Sequence, residues 1–245
     1  MKKIAIVGSG ATAIYLLKHL MDNTDVLKNH IDEIAIFEKG EILGMGMPYN
    51  PNTTDLWNLS NIASEEIPEL MMPFVNWLRD QDKKTLKALG LADKEISKSE
   101  VYSRLALGEY LQDQYRAILS ELSEADIKVQ EFPNSEVVDI VPLAKGEEVT
   151  LKISNGDKHT FNKVVVATGH VWTEEDDVAS GNYASPWPVH KILPKEGTYH
   201  NFKIGTLGAS LSAFDVVSSL SRRHGTFTTE KDGKMTFQPA KGAEE

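Results

Sequence analysis

The chain has 245 residues, a formal net charge of −10 at neutral pH and no cysteine. This length suits one large domain or two modest ones with a sizeable core. Because cysteine is missing, the sequence excludes structural disulfides, thiolate metal sites and a cysteine nucleophile. The negative charge argues against nucleic acid as a partner, since a general nucleic-acid surface needs clustered Lys and Arg. Because the chain has no cysteine pair that could carry electrons, any redox chemistry depends on a bound cofactor.

Membrane and metal sites are also not expected. No apolar run approaches the roughly 20 residues that cross a bilayer, and Met1-Lys2-Lys3 leads directly into a strand pattern instead of a cleavable signal. We therefore expect a cytoplasmic protein that does not associate with membranes. The seven histidines show no His-Glu-x-x-His spacing, so we expect no catalytic metal.

The most informative segment is a glycine-rich turn near the N-terminus. Ile4–Val7 is typical of a buried parallel strand, and Ile14–Met21 continues as a helix. Between them lies a Gly-x-Gly-x-x-Ala pattern, in which Gly8 permits a tight turn, Gly10 leaves room for a pyrophosphate, and Ala13 allows close helix packing. Amide groups at the helix start would face the anion. The candidate phosphate contacts are Gly8, Ser9, Gly10, Ala11, Thr12 and Ala13.

A second apolar segment, Ile34–Phe37, ends in Glu38, where a carboxylate can accept hydrogen bonds from an adenosine ribose. The alternative is a solvated carboxylate at a strand end. Glu38 lies 28 residues beyond Gly10, whereas the usual spacing is roughly 20. The polar stretch 22–30 is therefore expected to lengthen the first connection as loop and partial helix.

The middle of the chain changes from helical to strand patterns. Helical periodicity predicts an insertion over about 67–123. A small antiparallel sheet with a hairpin turn at Asn155-Gly156 is predicted next. Val164–Ala167 then resembles a buried strand that breaks at Thr168-Gly169, and 170–200 is predicted to be a surface connector. The candidate strands of the small sheet are 127–132, 137–141, 149–153 and 159–161.

A second strand, turn and helix pattern spans 201–217. Gly208, Ser210 and Ala213 occupy the three fingerprint positions, with Ser210 in place of the middle glycine. The serine hydroxymethyl group narrows the approach, although it can donate to a phosphate oxygen, so nucleotide contact and plain strand–helix packing both remain open. We interpret Arg222-Arg223 as solvated helix-end charges in preference to ligands of a 2′-phosphate.

Together these segments resemble the bacterial FAD-NAD(P)-binding family. That family is distantly similar to flavoproteins with two dinucleotide-binding domains, which include N-hydroxylating and Baeyer–Villiger monooxygenases. The resemblance extends over nearly the whole chain and depends on the order of its segments. They are Gly8–Ala13, Phe37-Glu38, Gly44–Tyr49, Leu56–Leu59, Phe74–Leu78, Arg104 with Gly108–Leu111, Ala167–His170, Ser185–Pro188 and Leu207–Ala213.

The resemblance implies a Rossmann-like α/β fold that binds FAD and NAD(P), with a parallel sheet, a helical insertion and a small antiparallel β-sheet. It implies an FAD-binding domain over 1–200 and the start of an NAD(P)-binding domain over 201–245. It also implies a truncated chain, because related chains generally continue further to complete the FAD sheet and close the substrate pocket.

The resemblance further assigns cofactor contacts to individual residues. Arg104 either approaches a cofactor phosphate or forms a helix-surface salt bridge, and both alternatives stay open. We interpret His170 and Trp187 as structural residues. Lys39 is assigned as a cofactor contact without a more specific role. The remaining assignments are Gly8, Gly10, Ala13 and Glu38 for the FAD pyrophosphate and ribose, Gly44 and Gly46 for the path to the flavin, the backbone near Val137 and Val138 for the adenine, Thr168 and Gly169 closing over FAD, and Gly208, Ser210 and Ala213 for the NAD(P) half.

The function implied is an FAD-dependent oxidoreductase. In it NAD(P)H reduces bound FAD, and electrons pass to oxygen or a small organic substrate as in a monooxygenase. One alternative is a non-catalytic FAD/NAD(P)-binding module with a structural or sensing role. Another is a dehydrogenase that holds NAD in the first turn without flavin. The expected partner is a small-molecule substrate; catalytic residues and homo-oligomer formation are left open.

Overall fold

The computed structural model describes residues 2–92, 94–143, 148–171 and 173–243. The β-strands in these residues are β1 Lys2–Val7, β2 Ile31–Phe37, β3 Lys128–Phe132, β4 Val137–Pro142, β5 Val149–Ile153, β6 Lys158–Phe161, β7 Lys163–Val166, β8 Gly225–Thr229 and β9 Met235–Pro239. The α-helices are α1 Ala11–Asp22, α2 Thr24–Leu27, α3 Phe74–Asp80, α4 Lys83–Ala88, α5 Arg104–Glu124 and α6 Leu211–His224. Short 3₁₀ turns occupy Met47–Tyr49, Ser64–Glu66, Val178–Ser180 and Val189–Ile192.

A four-stranded parallel sheet with the order β3-β2-β1-β7 organises the structure. Alternate residues of β1 point to opposite faces: Ile6 joins the core under the helices, whereas Ala5 and Val7 join a second core on the other side. Both faces of β1 and β2 are therefore covered, which explains their continuous apolar sequences. The predicted Rossmann-like α/β fold with a parallel sheet is confirmed.

Helices α1 and α5 cover one face of the sheet. Ile14 and Leu17 of α1 pack in the same core as Ile118 and Leu122 of α5, and all four side chains are fully buried. Helix α5 begins where the Ser103 hydroxyl accepts a hydrogen bond from the backbone amide of Ala106 at 3.2 Å. Helices α3, α4 and α5 lie within the predicted helical insertion. None of the described helices combines the length and apolarity needed to cross a bilayer.

A three-stranded antiparallel sheet, β4-β5-β6, covers the opposite face. Leu151, Ile153 and Phe161 pack there against Ala5 and Phe37 of the parallel sheet. The ring of Phe37 also stacks on that of Phe132 with centroids 4.5 Å apart. The small antiparallel sheet is thus confirmed.

The expectation for residues 127–132 was wrong in one respect. The segment forms β3, which pairs in parallel with β2 from Glu33 opposite Lys128 to Phe37 opposite Phe132. It therefore belongs to the parallel sheet and not to the antiparallel one. The physical reason is the preceding helix α5, because a strand that follows a crossover helix returns in parallel to the strand before it.

Two further strand expectations need correction. Residues 163–166 form β7 at the sheet edge, where Val166 is 59% exposed, so this strand is not buried. No strand forms over 203–207 in the described chain, and the Leu207 side chain there is fully exposed. A strand needs a neighbour to accept its backbone hydrogen bonds, and this segment has none among the described strands. The domain limits 1–200 and 201–245 stay predictions.

Candidate cofactor-binding site

The turn after β1 lies against the carboxyl ends of its two neighbouring strands. The Gly8 amide donates to the carbonyl oxygen of Phe37 at 2.8 Å. Gly8 has φ +99°, and a methyl group there would overlap the carbonyl oxygen of Ala167 and come within 3.2 Å of the Thr168 Cα atom. Only glycine fits this conformation and this space. The structure thus brings Thr168, another candidate residue, next to the turn.

The first turn of α1 offers free hydrogen-bond donors. Within the described chain, the backbone amides of residues 10–13 have no acceptor, and the first intrahelical bond at this end is from Ile14 to the Gly10 carbonyl at 3.1 Å. The first turn has neither an acidic side chain nor a side-chain cap. Free amides and the positive end of the helix dipole favour an anion at this position. The residues therefore fit a dinucleotide pyrophosphate.

The loop after β2 crosses over the turn at Gly46. A methyl group on Gly10 would lie 3.2 Å from the Cα atom of Gly46, and one on Gly46 would lie 2.9 Å from the Cα atom of Gly10. The two glycines therefore allow two backbones to touch. The sequence predicts that Gly10 leaves space for a ligand. The structure shows that Gly10 must also lack a side chain so that the loop at Gly46 can pack on it.

Glu38 is held by three hydrogen bonds beside the turn. Its Oε2 atom accepts from the backbone amide of Ser9 at 3.0 Å and from the Ser9 hydroxyl at 2.8 Å. Its Oε1 atom accepts from the Gly40 amide at 3.1 Å. The buried Ser9 hydroxyl also accepts from the Gly44 amide at 3.3 Å. The carboxylate is not simply solvated. Both lone-pair sites of Oε2 are used by Ser9, and Oε1 retains one for a ribose hydroxyl. Ribose binding stays a prediction.

The start of β4 runs beside Glu38. The Ser135 amide donates to the Glu38 carbonyl at 2.8 Å, and the Asn134 amide donates to the Gly40 carbonyl at 3.0 Å. The predicted adenine-side residues follow at once, with Val137 partly buried and Val138 59% exposed. Lys39 is exposed on the same connection. Backbone hydrogen bonds thus bring the start of β4 close to Glu38, the ribose candidate. Contact of Val137 and Val138 with the adenine stays a prediction.

Gly44 packs on a tyrosine that the sequence did not single out as a site residue. A methyl group on Gly44 would come within 2.8 Å of the Tyr115 ring. The Tyr115 hydroxyl donates to the Glu131 carboxylate at 2.9 Å. Burial, followed by the negative charge of Glu131, raises the pKa of Tyr115 above its ordinary value. Tyr115 therefore supports the loop that crosses the turn.

Arg104 forms a buried ion pair with Asp215. Its Nη2 atom lies 2.7 Å from the Asp215 carboxylate, and its Nε atom donates to the Leu59 carbonyl at 3.0 Å. The guanidinium also lies over the Trp187 ring at 4.9 Å. Burial raises the pKa of Asp215 above its ordinary value, against the lowering effect of Arg104. The structure therefore shows the salt bridge, buried between α5 and α6 and not on a helix surface. Contact of Arg104 with a cofactor phosphate stays a prediction.

Asn58 continues this polar contact. Its side chain is fully buried and donates to the Ser219 hydroxyl of α6 at 3.0 Å. Its Oδ1 atom accepts from the Thr54 hydroxyl at 2.9 Å, and its carbonyl accepts from the Arg104 amide at 2.8 Å. These contacts join the 54–59 loop to α5 and α6. Buried, satisfied networks of this kind favour one arrangement of the elements they connect.

The second glycine turn is open. Gly208 has φ +102°, yet a methyl group on it would meet no heavy atom within 4 Å. Helix α6 begins immediately after Ser210, as the fingerprint predicted, and the Ala213 amide donates to the Ser210 carbonyl at 2.9 Å. The first turn of α6 has no acidic side chain and no side-chain cap. Contacts of Gly208, Ser210 and Ala213 with a nucleotide stay predictions.

Comparison with known proteins agrees with this architecture. A family model described as FAD-NAD(P)-binding matches residues 5–171. The chain belongs to the FAD-NAD(P)-binding family. A relative in Escherichia coli strain K12, named uncharacterized protein YdhS, is 31% identical over 239 residues, which are 97% of this chain and 42% of that protein. The chain thus spans less than half the length of this curated relative.

Solved structures show the fold of this FAD-NAD(P)-binding chain. The closed crystal structure of cyclohexanone monooxygenase aligns with a TM-score of 0.52 at 14% identity, over 91% of this chain and 37% of that one. The ε-caprolactone-bound structure in the loose conformation aligns with a TM-score of 0.51 at 14% identity, over 91% and 38%. At this level of identity the agreement concerns the fold alone.

Several residues at the site of the FAD-NAD(P)-binding chain could not be selected from the sequence. Tyr115, Asp215 and Asn58 have ordinary helix or loop contexts, and their partners lie far away in sequence. Ser9 was predicted as a phosphate contact, but its two hydrogen bonds to the Glu38 carboxylate were not. His170 lies just past the Thr168-Gly169 turn and is exposed.

Proposed function

We propose that this chain is the cofactor-binding part of an FAD-dependent oxidoreductase in which NAD(P)H reduces FAD and electrons pass to oxygen or a small organic substrate. One observation carries the proposal. Four amides at the start of α1, without an acceptor among the described residues, lie next to a carboxylate held in place at Glu38. Membership of the FAD-NAD(P)-binding family supports a flavin as the ligand.

The residues of the chain have separate tasks in this proposal. The amides of residues 10–13 bind the pyrophosphate, and the Glu38 carboxylate accepts hydrogen bonds from the ribose. Ser9 and Gly40 orient that carboxylate before the ligand arrives, which lowers the ordering cost of binding. The bound flavin and nicotinamide would supply the hydride chemistry, while the protein binds and orients them.

The second turn supports the nicotinamide half of the proposal. The first-turn amides of Leu211 and Ser212 in α6 have no acceptor within the described chain, and the space around Gly208 is open. A phosphate can therefore approach the helix start without displacing packed side chains.

Anaerobic spectroscopy of the purified chain loaded with FAD tests this function. We expect a bound yellow chromophore absorbing near roughly 450 nm that NADH or NADPH bleaches, with dithionite as the positive control for reduction. Bleaching by dithionite alone would contradict the oxidoreductase proposal and favour a non-catalytic module. A folded chain that takes up no FAD but is stabilised by NAD would favour the flavin-free dehydrogenase.

A pair of aspartate substitutions separates the two turns. Gly10→Asp places a carboxylate at the pyrophosphate position, so we expect flavin binding to be lost. Ser210→Asp adds the same charge at the start of α6, where Asp is a good N-cap, so we expect normal folding and flavin content with slower reduction by NAD(P)H.

Gly10→Ala is the packing control for this pair, because its methyl group meets the same Gly46 backbone without adding charge. Because the methyl group also fills part of the space that the fingerprint leaves for the pyrophosphate, we expect Gly10→Ala to lose some flavin but to retain more than Gly10→Asp. Normal flavin content in Gly10→Asp would overturn the assignment of the first turn, and unchanged reduction of Ser210→Asp would overturn that of the second.

A further inference from the structure

Two clefts outside the glycine turns meet at one pair of residues. A wide cleft of about 940 Å³ and a smaller one of about 290 Å³ are both lined by Trp57 and Arg222. The wide cleft lies within the size range of small-molecule sites. Its apolar wall is formed by Leu56, Leu59, Leu89, Leu91 and Val101.

Arg222 lies over two aromatic rings. Its guanidinium carbon lies 4.2 Å from the Trp57 ring centre and 4.6 Å from that of Phe227. Stacking occupies the faces of a guanidinium and leaves the N–H groups at its edge available. Trp57 is itself held in place, because its amide donates to the Asp55 carboxylate at 2.8 Å and its carbonyl accepts from Ser218 at 3.3 Å.

The edge of this guanidinium has no acceptor among the residues that the structure describes. Across the described residues, no carboxylate pairs with Arg222 and no oxygen accepts a hydrogen bond from it. Arg79 donates to the Ile96 carbonyl, Arg104 pairs with Asp215 and Arg116 contacts Asp113. Arg223 also lacks an acceptor among the described residues, but unlike Arg222 it contacts no aromatic ring there. An arginine that is ordered by stacking but lacks an acceptor is suited to a ligand oxyanion.

The other charged residues described at the wide cleft are exposed to solvent. Lys94, Glu95 and Glu100 also line it, but all three side chains are exposed, so solvent and salt screen their fields. Arg222 is half-buried against two rings, where its charge is less screened. The cleft thus combines an apolar wall, an exposed indole and one unpaired guanidinium.

From these features we infer that the wide cleft binds a small organic oxyanion, in which a carboxylate or phosphate monoester meets the edge of Arg222 and an apolar body lies along Trp57 and the leucines. This site goes beyond the proposed function and does not depend on flavin binding. The glycine turns supply none of its lining residues.

Calorimetric titration of the purified chain with benzoate, phenyl phosphate, inorganic phosphate and neutral benzamide tests the inference. We expect saturable binding of at least one aromatic anion, with benzamide and inorganic phosphate each weaker by about tenfold or more. The two aromatic anions distinguish a carboxylate ligand from a phosphate ester. Failure of both to saturate at millimolar concentration would overturn the site. If benzamide binds as tightly as the aromatic anions, charge does not contribute to binding. If inorganic phosphate binds as tightly, the apolar wall does not contribute.

Substitutions assign the anion to one side chain. Arg222→Gln should weaken binding of the preferred anion by about 10–100-fold. Arg222→Lys should recover only part of the loss, because lysine keeps the charge without the planar fork. Arg223→Gln removes the same charge from the next residue of α6 and should leave the affinity within about threefold of the unsubstituted chain.

Two results would contradict the assignment to Arg222. Equal losses in Arg222→Gln and Arg223→Gln would indicate a general positive field. Loss of NADP⁺ binding in Arg222→Gln with unchanged binding of the aromatic anion would make the arginine a dinucleotide contact. Thermal unfolding of each variant, measured without ligand, separates loss of the site from loss of the fold.

Discussion

The two glycine turns of this chain share a sequence pattern and a backbone conformation but not their surroundings. Gly8 and Gly208 have φ of +99° and +102°, and a helix without a side-chain cap begins shortly after each. Gly8 is enclosed by the ends of β1, β2 and β7, whereas a methyl group on Gly208 would meet no heavy atom within 4 Å beyond its chain neighbours. The pattern therefore specifies a turn and a helix, and the neighbouring strands decide whether the turn is buried.

The helices that follow the two turns are also anchored differently. Helix α1 is held by buried apolar residues such as Ile14 and Leu17. Helix α6 exposes Phe214 and Val217 and is held on its other side by Asp215 and Ser219, which contact Arg104 and Asn58. Apolar packing is non-directional, while hydrogen bonds and ion pairs require particular partners. The position of α6 thus depends on a few polar contacts.

Alanine at each first glycine gives the largest expected contrast. Gly8→Ala combines an unfavourable φ with overlap against Ala167, for an expected loss of about 2–6 kcal/mol in unfolding free energy. Gly208→Ala introduces only the unfavourable φ, so we expect it to lose about 1–3 kcal/mol in unfolding free energy. Urea denaturation of both variants measures the difference. Equal losses would show that the enclosure of Gly8 contributes nothing to stability.

Removal of the Glu38 carboxylate should affect the first turn alone. Glu38→Ala deletes the ribose acceptor and the three contacts with Ser9 and Gly40, so we expect the FAD dissociation constant to rise by about 100-fold or more. The variant should still fold. Ser9→Ala is the control, because it loses two hydroxyl contacts but keeps the carboxylate, and its FAD affinity should fall less. Unchanged FAD affinity in Glu38→Ala would leave the residue a purely structural role.

The anchor of α6 is tested by a double-mutant cycle. Asp215→Asn leaves Arg104 with a neutral partner in a buried contact, so we expect a loss of about 1.5–3 kcal/mol in unfolding free energy. Arg104→Gln and the double variant complete the cycle. FAD uptake should stay normal in Asp215→Asn, since the first turn lies on the other helix. A coupling energy near zero would show that the ion pair does not anchor α6.

Local sequence patterns were sufficient for the first turn. The apolar runs of β1 and β2, the glycines between β1 and α1, and the position of Glu38 all follow from nearest-neighbour features of the chain. The short helix α2 and its flanking turns account for the long interval before Glu38. Helix α5 also followed from its periodicity.

Pairings between distant residues could not be predicted. A strand pattern at 127–132 does not say which sheet accepts it, and 111 positions separate Arg104 from Asp215. The strand expected before Gly208 depends on a hydrogen-bonding neighbour that no local pattern reports. The hairpin of β8 and β9 does have a local signal. Asp232-Gly233, which lies in the turn between these strands, is a residue pair typical of hairpin turns.

The last difference between the turns is the tyrosine beneath the loop that crosses the first one. Burial raises the pKa of Tyr115 in the folded chain, so above pH 10 the unfolded chain releases this proton while the folded chain retains it. Folding stability should therefore fall as pH rises beyond 10, by about 1.4 kcal/mol per pH unit from this residue.

The Tyr115→Phe variant tests this pH dependence. It should be less stable at neutral pH, because the hydrogen bond to Glu131 is lost, and its stability should fall less steeply above pH 10. Denaturation curves between pH 9 and 11 measure both effects. If unfolding free energy changes with pH in the same way in both proteins, Tyr115 titrates alike in the folded and unfolded states. The conclusion that Tyr115 is buried under the loop at the first turn would then be wrong.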